Sequence, residues 1–260
     1  MTAPGTETLD GIADGELLLH GRVMPASNAT FVGEIHGVRV VYKPVRGERP
    51  LWDFPDGTLA AREAAAYVVS QALGWNVVPP TMRRDGPHGF GMVQVWCEPD
   101  PDDEAVAIVP GGGTPDGWRH VFDGLDERDQ VVSLVHESSD ALRRMTIFDV
   151  VVNNADRKGG HVLAMSDGHR YGVDHGVTFH SEPKLRTVLW GWAGEDVPDE
   201  ELAVLEALAH DLRADLGDRL LDLLTPHEVS ATLGRTTRLL RTGTLPHPQG
   251  GWPAIPWPPF

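Results

Sequence analysis

Two carboxylates in unusual company carry the first chemical signal in this chain. Asp156 lies in Asn153-Asn154-Ala155-Asp156-Arg157-Lys158-Gly159-Gly160-His161, a run dense in polar groups between the apolar stretches 147–152 and 162–163. Asp174 closes Tyr171-Gly172-Val173-Asp174 and is followed by His175-Gly176. Either motif alone is ordinary turn chemistry, Asp-Arg-Lys-Gly-Gly or Asp-His-Gly. Together they fit phosphoryl transfer, in which one loop Asp orients an acceptor hydroxyl and a second, at the end of a hairpin, holds metal against the phosphates.

That chemistry also needs a strand lysine to hold nucleotide phosphates and a glutamate on the next helix to orient it. Lys43 ends a strand-like run, and Glu63 is the sole carboxylate of the Ala- and Val-rich segment 58–74, beside Arg62. Each has a plainer reading, Lys43 as a solvated strand end and Glu63 as the partner of Arg62. Their order, lysine, glutamate, aspartate, aspartate, strengthens the joint case. Only Lys43, Lys158 and Lys184 among the 22 basic residues are lysine, the other 19 being Arg, which directs attention to these three.

The elements that must position these groups follow from local patterns. Residues 15–44 read as three antiparallel strands, with turn-rich 24–29 between the first two and His36-Gly37 between the second and third. A helix is predicted over 58–73, stopped by Gly74, and short strands follow around Met82 and over 92–96. Residues 98–118 hold Pro99, Pro101, three consecutive acids and Gly111-Gly112-Gly113, which predicts a solvated connection and a lobe boundary. Ser139 caps a helix whose Leu142, Met145, Phe148 and Val152 recur at helical steps. Helices are predicted over 199–224, with a possible break at Gly217, and after the capping box Thr225-Pro226-His227-Glu228. The tail from Thr244 carries too much Pro for a helix and reads as a mobile arm or a strap on the C-terminal lobe.

With 260 residues, 41% of them hydrophobic, the chain can bury a substantial core. A net charge of −16 argues against bulk nucleic-acid binding. The lone Cys97 cannot form an internal disulfide, no apolar run reaches membrane-spanning length, and residues 1–15 lack the features of a signal peptide, so the cytoplasm is the expected compartment.

Four segments carry a family resemblance: Val41-Tyr42-Lys43-Pro44; the helix from Arg62-Glu63 to Leu73-Gly74-Trp75-Asn76-Val77-Val78-Pro79-Pro80-Thr81; Asn154-Ala155-Asp156-Arg157; and Val173-Asp174-His175-Gly176. Over about 17–179 the chain resembles the phosphatidylinositol 3/4-kinase-like superfamily. It is most similar to the type II phosphatidylinositol 4-kinase branch and its bacterial relatives, and more narrowly to an actinobacterial family. The resemblance implies an α+β, two-lobed protein-kinase-like fold, with an antiparallel sheet plus one helix in the N-lobe and a mainly helical C-lobe. The lobes would be 15–98 for nucleotide binding and 118–243 for catalysis, joined by the linker 99–117 and followed by the Pro/Trp-rich tail 244–260.

Carried over by position, the resemblance gives Lys43 the nucleotide phosphates, Glu63 the pairing with Lys43, Asp156 the catalytic loop and Asp174 the metal. It puts Ser27 and Asn28 in the phosphate loop, Gln94, Val95 and Trp96 in an adenine hinge, and Lys158 beside the transferring phosphoryl group. Two positions depart from the pattern: His161 stands where relatives carry a metal-binding Asn, and the phosphate loop lacks glycines. No Lys/Arg cluster for an inositol phosphate is evident, so lipid kinase activity does not follow. The expectation is ATP-dependent transfer, with Mg²⁺ or Mn²⁺, to a hydroxyl of a protein or small molecule. A silent nucleotide-binding pseudokinase and nucleotidyl transfer to protein are the alternatives.

Other features are weaker. His136-Glu137-Ser138-Ser139-Asp140 approaches a zinc-hydrolase signature but has Asp at the second ligand position. Cys97 reads as a packed thiol, and Trp190-Gly191-Trp192 as either a substrate platform or packing.

Overall fold

Alternating strands and a two-residue turn build the first layer. The computed structural model describes residues 6–24, 28–250 and 253–260. Strands β1 (Leu18–Arg22), β2 (Phe31–Ile35), β3 (Val38–Pro44), β4 (Thr81–Gly86) and β5 (Gly89–Val95) form one antiparallel sheet in the order β1-β2-β3-β5-β4. His36 and Gly37 join β2 to β3 with φ of 49° and 78°, the left-handed pair that suits the twist of a tight hairpin. One face of the sheet buries Ile35, Val40, Tyr42 and Val93 against Ile12 of α1 (Thr6–Ala13). Side chains alternate along a strand, so Lys43 points to the other face, where α2 (Leu59–Ala72) packs.

Small side chains let α2 lie deep between the sheet and the rest of the molecule. Five of its six alanines are buried, and so are Arg62 and Glu63. Thr58 makes no side-chain cap; the Glu48 carboxylate instead accepts from the backbone N–H of Leu59 (3.1 Å) and Ala60 (2.9 Å). A carboxylate at this positive helix end is favourable. Arg62 does not pair with Glu63: it donates to the Thr178 carbonyl and to Glu228, pinning α2 to the C-terminal lobe.

Helices α3 (Asp140–Val152), α4 (Asp199–Asp211), α5 (Asp215–Leu221) and α6 (Pro226–Thr242) surround the main core. Ser139 caps α3 by accepting from the Leu142 N–H, and the Thr225–Glu228 capping box opens α6. The molecule is thus a two-lobed α+β protein of kinase-like architecture. Among the described residues no helix is long and apolar enough to cross a membrane.

Two local expectations are corrected. Strand β6 (Val106–Pro110) lies inside the stretch read as solvated connection, and pairs with β8 (Val131–Glu137), which pairs with β7 (Trp118–Leu125). The acidic and Gly-rich flanks masked a short β-branched run that buries Ala105 and Val106. The break between α4 and α5 falls at 212–214, not at Gly217. A Cβ on Gly217 would lie 2.4 Å from the Leu212 carbonyl oxygen, so this glycine admits a close backbone approach inside α5.

His136 closes the seam between β8 and the 190–192 turn. Its Nδ1 lies 2.7 Å from the Glu137 carbonyl, which can only accept, and its Nε2 accepts from the Gly191 N–H at 3.0 Å. Both nitrogens are committed in the neutral tautomer, and Glu137 pairs with Arg170, so the zinc reading is excluded at this position. Burial, with Arg119 nearby, pulls the His136 pKa down to about 4 despite Glu137 and Glu195. The unfolded chain therefore binds a proton below about pH 6.5 that the folded one refuses until about pH 4, so stability falls as pH drops through that window. Between about pH 7 and pH 4.5 the wild type should lose about 2 kcal/mol more than His136→Gln in urea denaturation. Equal losses in the two proteins would refute it.

Candidate active site

The N-lobe lysine reaches across to the C-lobe. Lys43 Nζ lies 2.7 Å from Glu63 Oε1 and 2.8 Å from Asp174 Oδ1, one ammonium bridging two carboxylates on different lobes. Glu63 Oε2 accepts from the His175 N–H at 2.9 Å, so Glu63 holds both the lysine and the turn that carries Asp174. Asp174 has φ of 60°, a left-handed conformation uncommon outside glycine, which turns its half-exposed side chain toward the cleft. Lys43 holds the Asp174 carboxyl far below its usual range. Burial raises the Glu63 pKa, a shift that Lys43 opposes.

Asp156 lies at the end of the loop that follows α3. Asn153 ends that helix in a left-handed conformation, and the Asn154 side chain accepts from the Asp156 N–H at 3.0 Å. Arg186 Nη2 sits 3.3 Å and Lys158 Nζ 4.0 Å from the Asp156 carboxylate. Burial raises its pKa, with Lys158 and Arg186 pulling the other way.

His161 links the two aspartates. Its Nδ1 lies 2.9 Å from the Asp156 carbonyl oxygen, an acceptor only, so Nδ1 carries the proton and the neutral ring presents the Nε2 lone pair. Nε2 faces Asp174 Oδ2 at 3.7 Å, and burial lowers the imidazole pKa, which favours the neutral form.

Behind these groups, Arg157 acts as a fully buried hub. It donates to Asp149 through Nε (2.8 Å) and Nη2 (2.9 Å), to the carbonyls of His161 (3.2 Å) and Val173 (3.1 Å), and to His175 Nε2 (2.7 Å). One guanidinium therefore braces the Asp156 and Asp174 loops against α3, alongside the backbone bond from the Val173 N–H to the His161 carbonyl (3.0 Å). Arg186 and Asp149 were not singled out from the sequence. Asp149 carried a usable signal, a lone acid between Phe148 and Val150 in an apolar helix, whereas Arg186 carried none.

The phosphate-loop and hinge residues make the following contacts. Ser27 is outside the described residues. Asn28 lies beside residues 45–49, its Oδ1 accepting from the Arg49 N–H at 2.8 Å. The Gln94 amide is turned into the N-lobe, donating to Thr81 Oγ1 at 2.8 Å. The N–H of Val95 goes to Pro80 and that of Trp96 to Arg39, so these backbone donors complete the sheet and do not face an adenine. The chain leaves the sheet after Trp96 and joins the C-lobe where the Asp100 N–H meets the Ala164 carbonyl. Lys184 pairs with Asp53 at 3.1 Å beneath Trp52, a contact between the 45–57 loop and the C-lobe. Trp192 is core, stacked against His136, and burial pushes the Cys97 thiol up to about 11, which keeps it protonated and a poor nucleophile at neutral pH.

The fold and the lysine, glutamate and paired aspartates of its cleft define a two-lobed kinase-like protein. No family model matches the sequence. The chain is 47% identical over 262 residues to Protein Rv2133c of Mycobacterium tuberculosis, spanning 96% of this chain and 94% of that one, and it belongs to the same family. Among solved structures, the Helicobacter pylori proinflammatory kinase CtkA aligns over 88% of this chain and 93% of its own, at 11% identity and a TM-score of 0.43. So distant a likeness does not bear on activity.

Proposed function

We propose that the protein is an ATP-dependent phosphotransferase of the phosphatidylinositol 3/4-kinase-like type, acting on a hydroxyl of a protein or small molecule. The observation that carries this reading is Lys43 bridging Glu63 and Asp174, with Asp156 across the same cleft on the His161 loop. Residues 15–98 would bind nucleotide and 118–243 would carry the catalytic groups, with 99–117 as the link and 244–260 as the tail.

In this reading Lys43 moves its charge from Asp174 toward the nucleotide phosphates while Glu63 keeps it aimed. Asp156 orients the acceptor hydroxyl and takes its proton as the oxygen bonds to the γ-phosphorus and ADP departs. Its raised pKa makes it a better base than an ordinary carboxylate. Lys158 and Arg186 offset charge on the transferring group.

A divalent ion fits a site formed jointly with the nucleotide. Asp174 Oδ2 and the proton-free His161 Nε2 face one another with one oxygen and one nitrogen donor. Among the described residues no third His, Cys, Asp or Glu completes a resident site, so the remaining ligands would be phosphate oxygens and water. The ion would supply charge neutralisation across the phosphates. The nitrogen ligand favours Mn²⁺ over Mg²⁺.

Parallel incubation with γ-labelled and α-labelled ATP, in each metal, tests the reading. Label from the γ position alone on an acceptor, greater with Mn²⁺ and absent in Lys43→Met, is the expected result. Label from the α position on protein would mean nucleotidyl transfer. ATP-dependent thermal stabilisation without any label would mean a pseudokinase.

A further inference from the structure

A second cavity, remote in sequence from Lys43 and Glu63, lies between α6, the end of α3 and the Pro-rich tail. It encloses about 550 Å³, within the range of small-molecule sites. Its apolar wall includes Leu185, Trp190 and Leu245, and Trp190 is fixed by its indole N–H to the Ala254 carbonyl at 2.8 Å. The polar wall contains Arg235 and Arg238, and no Asp or Glu among the described residues lines the cavity. In a chain of net charge −16, an acid-free cavity with two arginines is a local inversion of the molecule's field.

Neither arginine is neutralised by a carboxylate among the described residues. Arg235 donates to the Val151 carbonyl (2.8 Å), the His180 carbonyl (3.2 Å) and Thr232 Oγ1 (2.9 Å), which leaves two of its five N–H groups. The acid that acts on it, Glu228, is already engaged by Arg62 and Thr225. Arg238 is exposed on the same side of α6 and makes no ion pair among the described residues.

Gly234 is an independent sign that space is kept here. It lies inside α6 without a left-handed φ, where glycine weakens a helix, and a Cβ built on it meets nothing within 4 Å. Neither turn geometry nor close packing requires glycine there; its missing side chain leaves the cavity wall open.

We propose that this cavity binds a small amphipathic anion, its carboxylate or phosphate taken by Arg238 and the spare N–H groups of Arg235 and its apolar body lying against Trp190, Leu185 and Leu245. The tail, which forms one wall through Thr244, Leu245 and Pro246, is then part of a ligand site as well as a strap. The site does not depend on phosphotransfer, and it can be present in a silent protein.

Anilinonaphthalene sulfonate fluorescence, with the full chain, tests the proposal. Saturable binding at one site is expected, unaffected by excess ATP and weakened about tenfold or more in Arg238→Glu, the loss of a charge-assisted hydrogen bond. Gly234→Leu should block binding by filling the wall, and both variants should retain the wild-type circular dichroism because neither position is packed. Decanoate or decyl phosphate should displace the probe, the stronger competitor identifying the head group, while decanol should compete poorly. Absence of saturable binding, full displacement by ATP, decanol competing as well as the anions, or unchanged affinity in Arg238→Glu and Gly234→Leu would each overturn it.

Discussion

Asp156→Asn is expected to bind ATP as the wild type does and to lose phosphoryl transfer by about 10²- to 10⁴-fold, the usual contribution of a positioned general base. Asp174→Asn is expected to lose metal-dependent ATP binding as well as transfer. The difference follows from where the two carboxylates sit. Asp174 is tied to Lys43 at 2.8 Å and faces the Nε2 lone pair of His161, so its charge is part of the phosphate and metal site. Asp156 instead lies between Lys158 and Arg186, and its loss leaves two cations that still attract phosphate. Asparagine keeps the shape of either side chain but cannot take a proton from a hydroxyl. ATP-dependent shifts in melting temperature report binding, and single-turnover transfer reports chemistry. If both variants lose binding equally, the separation of roles is wrong.

The part of this site legible in the sequence was the part that uses distinctive residue types in fixed order. Lys43 stood out because lysine is scarce here, and Glu63 because an acid among alanines and valines is out of place on a buried helix face. Their 2.7 Å contact joins positions that are only 20 apart, on adjacent elements. Asp156 and Asp174 were legible through the loops around them. What the sequence concealed depends on contacts with no periodic signature. The Val95 and Trp96 donors are consumed because the carbonyls of Pro80, just before β4, and Arg39, within β3, lie opposite them, a matter of register that no single strand reveals. Strand β6 was hidden by its acidic and Gly-rich flanks, and Arg186 reaches Asp156 from a loop 30 positions away. The tail's course was open as well. The structure lays it on the C-lobe, with the Pro259 carbonyl accepting from the Gly159 N–H and Phe260 packed over Gly159, three positions beyond Asp156.

Asp149→Ala is expected to destabilise the fold by about 3–5 kcal/mol, the cost of stripping one partner from a buried ion pair. Set against a total of about 5–15 kcal/mol for a typical domain, that loss leaves a partly unfolded protein or none at all. The reason lies in Arg157, which has no exposed surface and whose counter-charge is the carboxylate that accepts from its Nε and Nη2. Its other contacts, two carbonyls and the neutral His175 ring, can share hydrogen bonds but cannot balance its charge. Stability and positioning can then be separated. Removing both charges, in Asp149→Leu with Arg157→Met, should recover much of the stability, because well-packed apolar replacements of buried ion pairs are often neutral or better. The same double variant should lose most of its activity, since the bond from the Val173 N–H to the His161 carbonyl (3.0 Å) then remains without the guanidinium that ties both loops to Asp149 of α3. Urea denaturation measures the first effect and γ-phosphoryl transfer the second. A cost below about 1 kcal/mol for Asp149→Ala would mean that Arg157 is solvated in solution and the hub does not exist. A double variant that is both stable and active would show that the loops keep their spacing by other contacts, leaving Arg157 no positioning role.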